Sequence, residues 1–132
     1  MILAGDILAM RYSNPDLGNG VLDVKSDEGN TIDFGGFRTA SDPKAITSNG
    51  KLIRKMTNSR SAVKVKAADD DVNNTFRSMQ QLAGSVQETT WTITHISGKT
   101  YTASMAIVGD VIKDMNEGTF DLQLEGTFIN EI

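Results

Sequence analysis

Cysteine is absent from the 132 residues. Its absence excludes disulfides, thiolate metal sites and cysteine nucleophiles together, and it fits a chain made in reducing cytoplasm. Histidine occurs once, at His95, which leaves too few ligands for a zinc site of the usual His and Cys composition. No apolar run approaches the ~18 residues of a membrane-spanning helix. The N-terminus, Met1 to Asp6, has no basic start and no long apolar stretch, so a signal peptide is not expected. Aromatic residues are also scarce. The main basic stretch holds only Phe37, whereas barrels that bind single-stranded nucleic acid line a basic groove with stacking rings.

Several catalytic and ligand-binding signatures fail on inspection. No GxSxG elbow places a serine nucleophile near His95. Gly35-Gly36 opens neither a dinucleotide nor a phosphate-loop pattern, and a bend or bulge accounts for it better. Asp69-Asp70-Asp71 invites a calcium reading, but Asn74 and Gln80 stand where an EF-hand loop needs glycine and glutamate. No cofactor and no metal are expected, and the chain does not read as an enzyme.

What the sequence does contain is alternation, over a length that suits one domain. Val63, Val65 and Ala67 alternate with Ala62, Lys64 and Lys66. Trp91, Ile93 and His95 alternate with Thr90, Thr92 and Thr94. Ser97-Gly98 then turns the chain into a return strand with Tyr101, Ala103, Met105 and Ile107 in phase. The cleanest pattern puts Phe120, Leu122, Leu124, Gly126 and Phe128 on one face, with Asp121, Gln123, Glu125 and Thr127 on the other. Between the first two runs, the aspartates cap a helix predicted over 71–83. Val72, Phe76, Met79 and Ala83 share its apolar face, with Thr75 and Leu82 beside it, and Gly84 stops it in the left-handed conformation.

The N-terminal part is less regular. Ile7 to Tyr12 reads as a strand before the Asn14-Pro15 break. Val21 to Lys25 and Thr31 to Phe34 read as a hairpin around Asp27-Glu28-Gly29-Asn30. Thr39 to Gly50 is rich in turn signals and reads as a long connection. Lys51 to Arg60 reads as a strand or arm. Long structureless connections in compact domains are often functional. The fold class expected is mainly β: an antiparallel sandwich or barrel of two sheets, with one flanking helix and a long basic loop.

Charge is unevenly spread. From Gly36 to Lys66, Arg38, Lys44, Lys51, Arg54, Lys55, Arg60, Lys64 and Lys66 face Asp42 alone, while the whole chain is at −4. A basic segment on an acidic body suits a polyanion, or the acidic surface of another copy. Arg38, Lys44, Lys51, Arg54, Lys55 and Arg60 are therefore the candidate assembly residues.

From Lys51 onward the order of features resembles the tail tube proteins of contractile-tailed bacteriophages. It runs from a basic arm to the strand Ala62 to Lys66, then the acidic cap with Val72-Asn73-Asn74-Thr75-Phe76-Arg77-Ser78-Met79. Trp91, a threonine-rich hairpin and the closing strand Gly118 to Thr127 follow. The part most like that family is Ala106 to Gly126, with Gly109-Asp110. The N-terminal 35 residues add little.

The resemblance implies hexameric rings stacked into a hollow tube, with strands of six subunits lining the lumen. It implies sheath, baseplate and terminator proteins as partners, viral DNA passing through without specific binding, and a place in the virion tail. Related tubes occur in type VI secretion systems and R-type bacteriocins. The strand face with Asp121, Gln123 and Glu125 is the candidate lumen lining, since an acidic wall repels DNA phosphates. Alternative readings are a tail terminator, a baseplate hub or a secretion-system tube component of the same fold. A small ligand- or nucleic-acid-binding β-barrel module is a further alternative.

Overall fold

A computed structural model describes residues 1–26, 28–39 and 46–132. In chain order the strands before the helix are β1 (Ile7–Asn14), β2 (Gly18–Val24), β3 (Thr31–Asp33), β4 (Gly36–Thr39), β5 (Met56–Ser59) and β6 (Ser61–Ala68). Helix α1 spans Thr75–Ala83. Then come β7 (Thr89–His95), β8 (Thr100–Ile107), β9 (Lys113–Asp114), β10 (Thr119–Gly126) and β11 (Asn130–Glu131).

The protein is mainly β, and six antiparallel strands close into a barrel in the order β8-β7-β1-β2-β6-β10. Closure comes from β10 returning to β8, where Leu124, Glu125 and Gly126 pair with Ile107, Ala106 and Met105. Closing the sheet removes the unpaired edges that an open sheet presents to water or to other chains. The longest seam joins β6 to β10 in unbroken register, from Thr119 opposite Ala68 to Gly126 opposite Ser61.

The expected alternation sets this inside and outside. Val63, Val65 and Ala67 of β6 and Phe120, Leu122 and Leu124 of β10 point into the core. Each large apolar side chain so buried contributes about 1.5–3 kcal/mol. Trp91 is fully buried, and its indole Nε1–H donates to the carbonyl of Met105 at 3.1 Å. That bond satisfies the one polar group of a ring which otherwise packs against Tyr12.

Helix α1 packs against β8. Thr75, Met79 and Leu82 form its buried face, and the Phe76 ring meets Phe120 edge-on, 5.5 Å between centroids. The helix begins four residues later than the sequence suggests. The Asp70 carboxylate accepts the N–H groups of Val72 and Asn73, and Asp69 reaches on to the N–H of Phe76. The aspartates thus hold a preceding turn that ends with Asn74 in the left-handed region at φ 50. Val72 consequently lies outside the helix and is 91% exposed, not on its apolar face. Gly84 does end the helix, but at φ −91, so no left-handed cap forms there.

Two strand expectations also change. β2 and β3 do not form a hairpin with each other. Both pair antiparallel with β6, Asp23 opposite Ala68 and Thr31 opposite Lys64, so they run on in one direction. The intervening bulge is held by the Lys25 N–H on the Lys66 carbonyl and the Lys66 N–H on the Asn30 side chain. Asp27 of that segment lies outside the described residues. The hairpin in this region joins β1 to β2, with Asn14 opposite Gly18. Its turn is fixed by the Asn14 carboxamide, which accepts from the N–H groups of Asp16 and Leu17. At the other end of the chain β10 stops at Gly126. The phase then shifts, so Ile129 is buried and Phe128 is exposed.

The barrel has two dissimilar ends. One carries the β1–β2 turn, α1, the aspartate turn and the β9–β10 turn. The other carries residues 1–6, the 25–30 bulge, the β7–β8 turn and the arm described next.

Candidate assembly surface

Between β3 and β6 the chain leaves the barrel as an arm. Gly35 and Gly36 have φ of 76 and 95 and turn it outward. A Cβ on Gly35 would lie 2.8 Å from the Ser59 carbonyl and the Ser61 nitrogen, so only glycine lets the two ends of the arm come together. Outside that pinch, β4 and β5 form a two-stranded ribbon, Gly36 opposite Ser59 through Thr39 opposite Met56. Ile46 bridges to Leu52 farther out, and the Gly50 N–H donates to the Thr47 carbonyl in a tight turn. The segment read as a long connection and basic arm is therefore partly β ribbon. Residues 40–45 lie outside the described residues.

The arm exposes apolar side chains. Phe37 is 76% exposed, and Ile46, Leu52, Ile53 and Met56 are exposed with it. A two-stranded ribbon is at best marginally stable alone in water. None of these apolar side chains belongs to the hydrophobic core or packs against it.

The candidate basic residues divide into three sets. Arg38 lies on the ribbon but clamps Asp33 of β3 with two bonds, of 2.7 and 3.3 Å. The guanidinium, helped by the Gly35 N–H, holds the Asp33 carboxyl below the usual carboxylate range. Arg60 sits at the barrel wall, and its Nε is 2.7 Å from Glu125. Arg54 remains within the ribbon, donating to the Thr39 hydroxyl at 2.7 Å. Lys51 and Lys55 are exposed beside it. Lys44 lies outside the described residues. The arm's outward positive charge thus rests on Lys51, Arg54 and Lys55, while Lys64 and Lys66 belong to the barrel.

The face with Asp121, Gln123 and Glu125 looks outward from β10, as its alternation requires. Its charge is mixed, not uniformly acidic. Asp121 stands opposite Lys66 and Gln123 opposite Lys64, and Glu125 takes Arg60. Periodicity in one strand cannot reveal this, because the opposing lysines come from β6. A shallow recess on the same face lies under the 25–30 bulge, with Asn30, Lys64, Lys66 and Gln123 in its lining.

His95 ends β7 and serves the fold. The Ser97 N–H donates to Nδ1 at 3.2 Å, so Nε2 carries the proton that reaches the Gly5 carbonyl. The imidazole ties the N-terminal segment to the β7–β8 turn. Among the described residues, no group of three or more His, Asp or Glu side chains is placed to hold a metal ion. No helix there is long and apolar enough to cross a membrane.

Comparison of the chain with protein-family models and with curated proteins gives no match.

Proposed function

We propose that this protein is a non-enzymatic structural subunit that assembles with its own copies into rings, and that the rings stack as the hollow tube of a contractile phage tail. The observation that carries this reading is the arm. Its ribbon has two strand edges and a set of exposed apolar side chains that the barrel does not cover. Another chain laid against it buries both. Lys51, Arg54 and Lys55 at its outer part add a charge that an acidic body attracts.

In this reading the rings are hexameric and DNA passes through the lumen without specific binding. Sheath, baseplate and terminator proteins meet the tube, which stands in the virion tail. The two-sheet sandwich belongs to the same proposal, with β6-β10 and β1-β7-β8 as facing layers in the ring. A mixed-charge lining by Asp121, Gln123 and Glu125 with Lys64 and Lys66 offers phosphates no continuous basic track.

Negative-stain electron microscopy across a concentration and salt series tests the reading. Hollow rods support it. Rings that never stack point to a tail terminator or hub instead. A monomer under every condition overturns self-assembly. A variant in which a two-residue turn replaces residues 37–58 is the control, since Gly36 and Ser59 are already paired. It is expected to stay folded and to lose the rods.

A further inference from the structure

At the end of the barrel opposite the arm, several large apolar side chains stand in water, and three of them lie on two adjoining segments. Val72 in the aspartate turn is 91% exposed, Met115 81% and Ile112 71%. The two segments that carry them are joined. The Asp69 N–H donates to the Gly118 carbonyl, and the Gly118 N–H to that of Asp114. The Lys113 ammonium lies 2.6 Å from the Asp69 carboxylate. Asp70 and Asp71 directly precede Val72 in the chain, and Asp114 lies between Ile112 and Met115, so the segments that carry these apolar side chains are rich in carboxylates.

None of the three side chains belongs to the core, and the hydrogen-bonded turn fixes Val72 outward. Their chemistry complements that of the arm. The arm presents Leu52 and Ile53 among Lys51, Arg54 and Lys55. The far end presents Val72, Ile112 and Met115 among aspartates. β6 begins beside the arm and ends beside Asp69, and its eight residues span about 26 Å of extended chain. The two surfaces therefore lie at opposite ends of the barrel, too far apart for a subunit to satisfy one with the other. A contact between unlike surfaces on opposite ends repeats along an axis.

We infer that Val72, Ile112 and Met115, with Asp70, Asp71 and Asp114 beside them in the chain, form the seat on which the arm of the next copy docks. The inference rests on the tube reading and names the partner surface which that reading leaves open. Apolar contact supplies the attraction at the centre, and the charges select orientation and speed encounter.

The chain has no cysteine, so introduced thiols report without background. Leu52→Cys and Met115→Cys are made separately, mixed under assembly conditions and treated with a short bis-maleimide. Val72→Cys replaces Met115→Cys if the latter fails to fold. The expected result is a covalent dimer in the mixture and in neither variant alone, with the double variant giving a ladder. Rods or rings that form without the mixed product, or with Leu52→Cys joined to itself, overturn the seat and leave the tube reading standing. No assembly and no product under any condition overturns both.

Discussion

Asp69 and Lys113 meet at 2.6 Å across the helix-bearing end of the barrel, with the Asp69 side chain only 9% exposed. One carboxylate joins three elements. It accepts from Lys113 of β9 and from the N–H of Phe76 at the start of α1, and it directly follows β6. The Lys113 ammonium first, and then the Phe76 N–H, hold its carboxyl below the usual carboxylate range. Stability from a depressed carboxyl is present above the unfolded pKa and is lost as pH falls through the folded one. The thermal midpoint of the wild type is therefore expected to drop on acidification below about pH 4. Asp69→Ala should cost about 1–2 kcal/mol at neutral pH, as loss of a capping acceptor does. It should also flatten the acid limb of a melting-temperature profile. An unchanged acid limb would show that another carboxyl governs it.

Gly126 makes closure of the barrel possible. A Cβ there would fall 2.1 Å from the Ser104 carbonyl and 2.7 Å from Met105 Cα, both main-chain atoms that no rotamer change can move. Gly126→Ala should force β10 away from β8 and cost about 1–3 kcal/mol, as overpacking does. Urea unfolding measures it. A midpoint within error of wild type would mean that the β8–β10 seam yields freely.

Ser61 is fully buried, and its hydroxyl is the one buried side-chain polar atom without a partner among the described residues. Burying such a group unpaired is costly, and an apolar replacement of similar shape removes the cost. Ser61→Ala is expected to stabilise the protein by about 1 kcal/mol, read from chemical denaturation. A loss of stability would assign the hydroxyl a bond made only in the assembled state or to water.

Strands with one consistent phase were legible from sequence. Val63 to Ala67, Trp91 to Ile93, Tyr101 to Met105 and Phe120 to Leu124 all turn the predicted side inward. Phase was lost where the pairing slips. A bulge between Ile7 and Ala9 on the β1–β7 seam makes Ile7 and Met10 share the core although they are three residues apart. The shift after Gly126 exchanges Phe128 for Ile129. The turn residues between β2 and β3 point to a hairpin, whereas the partner that both strands take, β6, lies far along the chain. The basic arm was visible as composition. That Arg38 and Arg60 are engaged by Asp33 and Glu125 was not, since both acids come from outside the basic stretch.

Reversing the arm's outward charge separates assembly from folding. Lys51, Arg54 and Lys55 are exposed, and none is paired with an acid in the ion pairs of the described residues. Surface charges away from such pairs change stability by no more than about 0.5 kcal/mol each. The variant Lys51→Glu, Arg54→Glu, Lys55→Glu should therefore melt close to wild type while shifting the concentration for polymer growth upward. The shift should be largest at low ionic strength and shrink as salt rises, because screening weakens the attraction in the wild type as well. Sedimentation across a salt series reads both effects. Polymer growth equal to wild type at low salt would remove electrostatics from the contact and leave the apolar side chains of the ribbon to carry it.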